Sequence, residues 1–303
     1  MRLVIEDDVV TITTPEKQEL SMPLTDWLAA VDRPQFDEGA CPLPAGVVAF
    51  KPLRDGVILV HEGEPSVRRL RWLADDSPAP YGKEAVYREV SLAMPYVLVL
   101  AVFRRSGDGL YRLTGDSEAF FRPAPVDSLD ARLQFPALLN CSSVEDEPSK
   151  PRSWLCVQHL RAERAMAGDD DGARLRLGLA ELMRHFWEAG FNQSSEMHEG
   201  SSWYAETVKA GVDPRVGSLA AWEQATTEDP NFVLDVPWLD AGHTLGQMLD
   251  RMARRLGLLE QAPISVTDLA RPVLMHHRKE SPLERRRREL LERLNEAGDE
   301  VPF

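Results

Sequence analysis

The chain reads as an α+β protein: an antiparallel β-meander packed by helices, with additional strands ahead of it and a helical extension behind it. Three observations predict this. Residues 47–53, 56–63, 66–74 and 96–105 are apolar or alternating runs separated by Gly, Asp or Pro, so neighbours in sequence should pair. No alternation of strands with crossover helices occurs, which disfavours a doubly wound parallel sheet. Beyond residue 200 the apolar period turns helical. A content of 43% apolar residues supplies a core for the 303-residue chain, enough for one core domain with an extension or for two domains.

In chain order, residues 1–14 alternate as a short hairpin turning at Asp7-Asp8, and Leu24–Val31 reads as a short helix. Residues 33–46 hold Pro34, Gly39, Pro42, Pro44 and Gly46 and form a connecting loop. The meander over 47–115 includes a two-strand turn at Ser106-Gly107-Asp108-Gly109. Residues 120–140 are punctuated by proline and read as irregular; 142–153 are polar and acidic, a flexible insertion by composition. After it comes a short apolar piece, Trp154–Leu160. Asp169-Asp170-Asp171-Gly172 offers a turn and an N-cap for a helix over 173–189, whose buried stripe is Leu175, Leu179, Leu182, Met183 and Phe186 and which Gly190 ends. Residues 201–211, 218–228 and 245–261 are further helices. A charged helix at 281–296 carries a narrow stripe of Leu283, Leu290, Leu291 and Leu294, with glutamates interleaved among its arginines. These elements group as an N-terminal segment 1–46, a core domain 47–200 and a helical extension 201–303.

Composition excludes several function classes. With 49 acidic against 35 basic side chains, the formal charge of −14 repels phosphate backbones, so nucleic acid is not an expected partner. The start, MRLVIEDDVVTITT, lacks the basic head and apolar run of a secretion signal, and the longest apolar stretch, Met94–Phe103, falls short of the roughly 20 residues of a membrane helix. Three cysteines (Cys41, Cys141, Cys156) with no C-x-x-C pair suit reduced thiols, and a cytoplasmic location is expected. Neither a phosphate-binding loop nor a dinucleotide fingerprint is present, and H-E-x-x-H and G-x-S-x-G are absent. His276-His277 are adjacent and would point apart, which makes them poor joint ligands; the 169–171 aspartates lack the alternating spacing of a calcium loop. No cofactor or metal is expected. The tryptophans in apolar segments (Trp72, Trp154, Trp187, Trp222) read as core.

Chemistry concentrates between Phe135 and His198. Cys156 follows Trp154-Leu155 just after a polar loop, where a thiol can act as a nucleophile with modest activation. Taken alone, a free cysteine is more often buried packing. His159, three residues on, could serve as a base or merely neighbour it.

The order of parts resembles the ubiquitin-conjugating fold: antiparallel strands, a proline-rich stretch, an element ending in asparagine, a loop, a cysteine in an apolar context and an amphipathic helix. FPALLN (Phe135–Asn140) looks like the segment ending in asparagine before that family's active cysteine, and WLCVQHL (Trp154–Leu160) looks like its I-C-L-x-x-L segment. HFWEAGFNQSSEMHEG (His185–Gly200) is similar to the tail of prokaryotic relatives encoded beside activating-enzyme-like and JAB-peptidase-like genes. The resemblance spans residues 47–200. It implies that Cys156 accepts the C-terminus of a ubiquitin-like modifier as a thioester and passes it to a lysine or other nucleophile. The setting it implies is a bacterial conjugation system, with anti-phage defence as one role and an activating-enzyme-like protein and a JAB-type peptidase of the same operon as partners. Asn140 would donate to the tetrahedral oxyanion, a donor worth on the order of 3 kcal/mol in other acyl transfers, or would brace the loop. Glu145, Asp146 and Glu147 are candidates to orient an incoming amine.

Departures from the family pattern are specific. Leu138-Leu139 stand where a histidine and proline usually precede the asparagine, the interval from Asn140 to Cys156 is longer, and Cys141 rivals Cys156. Two other readings remain at this point: a catalytically inactive ubiquitin-conjugating-like binding module, and an assembly protein docking through Leu283–Leu294.

Overall fold

The computed structural model describes residues 2–27, 43–107, 109–145, 151–157 and 160–256, together with Ala270 and Val273. It divides into two compact units, one of Met1–Asp37 with Gln261–Phe303 and one of Glu38–Glu260. His159, Cys41, Asp146, Glu147, the His276-His277 pair and the charged 281–296 segment lie outside the described residues.

The smaller unit is a three-stranded antiparallel sheet of β1 (Arg2–Glu6), β2 (Val9–Thr13) and β3 (Glu19–Pro23). The expected turn is there: Asp7 and Asp8 have φ of 48° and 61°, the left-handed geometry that Asp tolerates and a tight hairpin demands. The third strand was not foreseen. Residues 24–27 are helical, the described part of the expected helix. Alternation on β2 buries Val10 and Ile12, which pack with Met22, Trp27, Ala270 and Val273. Both ends of the chain therefore build one small core.

The larger unit is mixed α and β around a curled antiparallel sheet. β4 (Val47–Leu53) pairs with β5 (Gly56–Gly63), which is followed by β6 (Ser66–Leu73), β7 (Tyr87–Met94) and β8 (Tyr96–Arg105). Here the structure departs from a simple meander. β5 pairs with β8, not β6, and one constant register runs from Gly56↔Arg104 through Gly63↔Val97 and Ser66↔Met94 to Leu73↔Tyr87. The four strands are thus the two arms of one long ribbon. That same register sets Pro65 opposite Pro95, and neither can donate to the ladder. At this step the ribbon passes from the large sheet to a second, smaller one.

The large sheet continues with β9 (Tyr111–Leu113) on β8, across the expected turn closed by Gly109 N–H to the Ser106 carbonyl, and with β10 (Glu118–Arg122), which also pairs with β8. β11 (Arg132–Gln134) joins β10. β12 (Cys141–Val144) and β13 (Arg152–Leu155) form a hairpin that attaches to β10 at Glu118↔Trp154. The flanks of the polar 142–153 stretch are therefore strands: Ser142 and Ser153 are fully buried in the sheet. Likewise the 120–140 stretch is less irregular than its prolines suggest, since all five residues of β10 are buried.

Helix α1 (Ala162–Ala165) precedes α2 (Asp171–Glu188), where Asp170 caps by accepting from Ala173 N–H. On α2, Leu175, Leu179, Leu182 and Phe186 face the sheet, as their spacing predicts, whereas Met183 is half-buried. Gly178 lies so close to β8 that a Cβ there would come within 2.6 Å of the Phe103 ring. After α2, β14 (Gly190–Phe191) runs parallel to β6.

The remaining elements are α3 (Ser194–His198), α4 (Trp203–Ala210), α5 (Leu219–Glu228), β15 (Asp240–Thr244) on β11, and α6 (Leu245–Arg255), opened by a Thr244/Gln247 capping box. They form no separate extension. Trp203, Trp222, Trp238 and Met248 share one buried cluster with the sheet residues Val99, Phe103 and Phe121. Trp222 Nε1–H donates to the Ala93 carbonyl (3.1 Å) and Ala93 N–H donates to Thr226 Oγ1 (2.9 Å), so one turn of α5 satisfies both free backbone groups of an edge strand. Of the tryptophans expected in the core, Trp72 and Trp222 are buried, while Trp154 and Trp187 are half-buried.

Candidate functional site

The β12–β13 hairpin separates the two rival cysteines. Cys141 pairs with Leu155, and both are buried, at 0% and 2% exposure. One step further toward the root, Cys156 N–H donates to the Asn140 carbonyl (3.3 Å). Asn140 and Cys156 lie just beyond the paired ends of the two strands, and the Cys141 thiol reaches back to donate to Asn140 Oδ1 (3.7 Å). Asn140 and Cys156 both line a cleft of about 680 Å³. Burial, reinforced by the neighbouring Cys156, pushes the Cys141 thiol well above its ordinary range, while Cys156 is only half-buried. Of the two described thiols, Cys156 is the accessible one.

The last turn of α2 is pinned to this root. Asn140 Nδ2 donates to the Phe186 carbonyl (3.1 Å), one of the four carbonyls a helix leaves unsatisfied at its C-terminus. His185 Nε2 lies 3.1 Å from the Cys156 carbonyl. A carbonyl only accepts, so that nitrogen carries a hydrogen. The Asn140 side chain thus ties the start of β12 to the end of α2.

The cleft is lined by Arg71 and Tyr87 from β6 and β7, by Asn192 after β14, and by Cys156, Arg161 and His185. Beneath its Arg161 side, Glu181 is 4% exposed, accepts from Arg161 N–H (3.1 Å) and is forked by the Arg184 guanidinium. The Arg184 hydrogen bonds hold the Glu181 carboxyl down from the usual 4.5 to about 2. A depressed carboxyl contributes stability that is complete above pH ~4.5 and lost as pH falls toward 2, here on the order of 3 kcal/mol. Urea unfolding of the native protein and of Glu181→Gln should therefore differ by that amount at pH 6. The two should converge only as pH falls below ~2; a gap independent of pH would contradict this.

Sequence reasoning named Cys156 and Asn140, and the fold brings them together. His159 lies outside the described residues. His185 was missed as a site residue, although it extends the 175–179–182 stripe of α2 and so must face the sheet. Of the three candidate carboxylates, Glu145 is exposed at the far end of β12 and the other two lie outside the described residues. Among the described residues no group of three or more His, Cys, Asp or Glu could hold a metal ion, and no helix is long and apolar enough to cross a membrane. Comparison with family models, characterised proteins and solved structures finds no match.

Proposed function

We propose that this chain is a ubiquitin-conjugating-like acyl carrier. Cys156 takes the C-terminus of a ubiquitin-like modifier from an activating-enzyme-like protein and yields it to an amine, in a bacterial conjugation system that would also use a JAB-type peptidase. What supports the reading is one observation: the half-buried Cys156 opens onto a cleft of about 680 Å³ at the root of a hairpin, with Asn140 lining the same cleft. A cleft of that size suits an extended peptide end. His185, hydrogen-bonded to the Cys156 carbonyl, acts as a positioning residue for the cysteine backbone.

The chemistry is thioester exchange. The Cys156 thiolate attacks the donor's thioester carbonyl, a new C–S bond forms, the old C–S bond breaks, and the departing thiolate takes up a proton. An amine then displaces Cys156 in the same manner. The clamp formed by Asn140 and His185 keeps this thiol registered against the cleft, so orientation carries more of the rate than base strength.

A second reading, a binding module without catalysis, is favoured by one feature: the Asn140 amide already serves the Phe186 carbonyl. Incubation with a Gly-Gly-terminated peptide benzyl thioester, followed by mass mapping, separates the two. The active carrier should gain a thiol-labile adduct at Cys156, Cys156→Ala should show none, and Cys141→Ala should retain it. Absence of any Cys156 adduct, or an adduct surviving in Cys156→Ala with the same kinetics, would refute the carrier.

A further inference from the structure

The cleft beside Cys156 is cationic although the chain carries a formal charge of −14. Arg71, Lys83, Arg161 and Arg184 line it, against a single carboxylate, Glu188. Arg184 is neutralised locally, paired with both Glu181 and Glu188. The other three side chains are different. Arg71, Lys83 and Arg161 are exposed at the rim, and none forms an ion pair with a carboxylate among the described residues. The Arg71 guanidinium lies over the Tyr87 ring, 5.1 Å from its centroid, which fixes its direction without neutralising it. Tyr87 is itself oriented by Asn192 Nδ2–H donating to its hydroxyl (3.0 Å).

These three cations come from three separate places in the chain: β6, the 74–86 connection, and the segment leading into α1. Parallel pairing of Gly190 with Arg71 ties the β6 side to the end of α2, and Gly190 is required there because a Cβ would fall 2.5 Å from the Tyr87 ring. The Glu181 carboxylate holds the Arg161 backbone on the other side. Fixed positive charge converging on a recess next to a nucleophile is a device for drawing in and orienting an anion.

We infer that this cleft recognises acidic peptide: Arg71, Lys83 and Arg161 receive carboxylate side chains just upstream of the acyl donor's C-terminus, seating its terminal carbonyl at Cys156. The inference rests on the carrier reading for the donor's identity, while the binding it specifies is measured without any acyl chemistry. The acceptor side of the reaction is then left to solvent, where an amine can approach.

The test uses the full chain and two rhodamine-labelled peptide amides, one ending Asp-Glu-Asp-Gly-Gly and one ending Arg-Lys-Arg-Gly-Gly, followed by fluorescence anisotropy. At 50 mM salt the acidic peptide should bind about tenfold more tightly than the basic one, against the sign of the chain's overall charge, and the preference should fall to about twofold at 0.5 M salt. Charge reversal at the three exposed rim positions (Arg71→Glu, Lys83→Glu, Arg161→Glu) should invert the preference. Bound acidic peptide should also slow iodoacetamide at Cys156. Equal binding of the two peptides, a preference untouched by the triple reversal, or binding that leaves Cys156 alkylation unslowed would each overturn the inference. Failure of the thioester experiment alone would refute the carrier and leave these three readouts standing.

Discussion

Glu118→Gln is expected to cost about 3 kcal/mol of unfolding free energy in urea, and to loosen the strand that carries Cys156. Glu118 is 1% exposed on a strand whose next three residues are apolar, and its two oxygens do different jobs. Oε1 receives Arg255 from the last turn of α6, and Oε2 accepts the Ser153 N–H (3.2 Å) on β13. The carboxylate therefore joins the sheet, the hairpin and a helix that lies more than a hundred residues away in sequence. Glutamine keeps the volume and removes the charge, which takes the counter-ion from a guanidinium only 15% exposed. Breaking one side of a buried pair costs roughly 3–5 kcal/mol, and the partial exposure of Arg255 places the effect at the low end. A double change, Glu118→Gln with Arg255→Met, should recover most of the loss, because the glutamine oxygen still serves as acceptor for the Ser153 N–H and methionine needs no counter-ion. A single-variant loss below about 1 kcal/mol would show that the pair does not hold these elements together.

The parts of the fold legible in the sequence are those whose cause is local. Asp7-Asp8 and Ser106–Gly109 specify their turns by backbone geometry, and the 175–179–182–186 stripe specifies α2 by its period. The parts that were not legible depend on partners distant in sequence. A run such as Gly56–Gly63 has the same alternation whether it pairs with β6 or β8; only the full register reveals that Pro65 faces Pro95. The acidic 142–153 stretch reads as an insertion because the residue that draws its second strand into the sheet, Glu118, is remote and itself looks out of place beside the three apolar residues that follow it. The helices after residue 200 look like an appendage until Trp222 and Thr226 are seen to satisfy Ala93. At the site, Cys156 and Asn140 could be named from their context, but only the fold shows that Cys141 lies inside the sheet while Cys156, past the end of β13, is half-buried at the cleft. The cationic rim is the least legible feature, being assembled from three segments that share no local pattern.

In the native protein at pH 7.5, iodoacetamide should modify Cys156 at least ~100-fold faster than Cys141. Cys141 is fully enclosed, at 0% exposure, on a strand inside the buried cluster of the larger unit, so it reacts only from a locally opened form. An opening free energy of about 3 kcal/mol, well below the roughly 5–15 kcal/mol of global unfolding, already limits that form to about one molecule in a hundred. Burial also holds the Cys141 thiol protonated in the closed form, so its reaction waits on the opening. Cys156 needs no such opening, because it lines the cleft directly. Peptide mapping scores each cysteine separately, and Cys41 by its own peptide. In urea above the unfolding midpoint the rates at Cys141 and Cys156 should converge, showing that the native difference comes from the fold and not from neighbouring residues. Were Cys141 to label natively as fast as Cys156, the fold could not be enclosing one thiol and leaving the other at the cleft, and the proposed acyl-carrier site would have to be placed elsewhere.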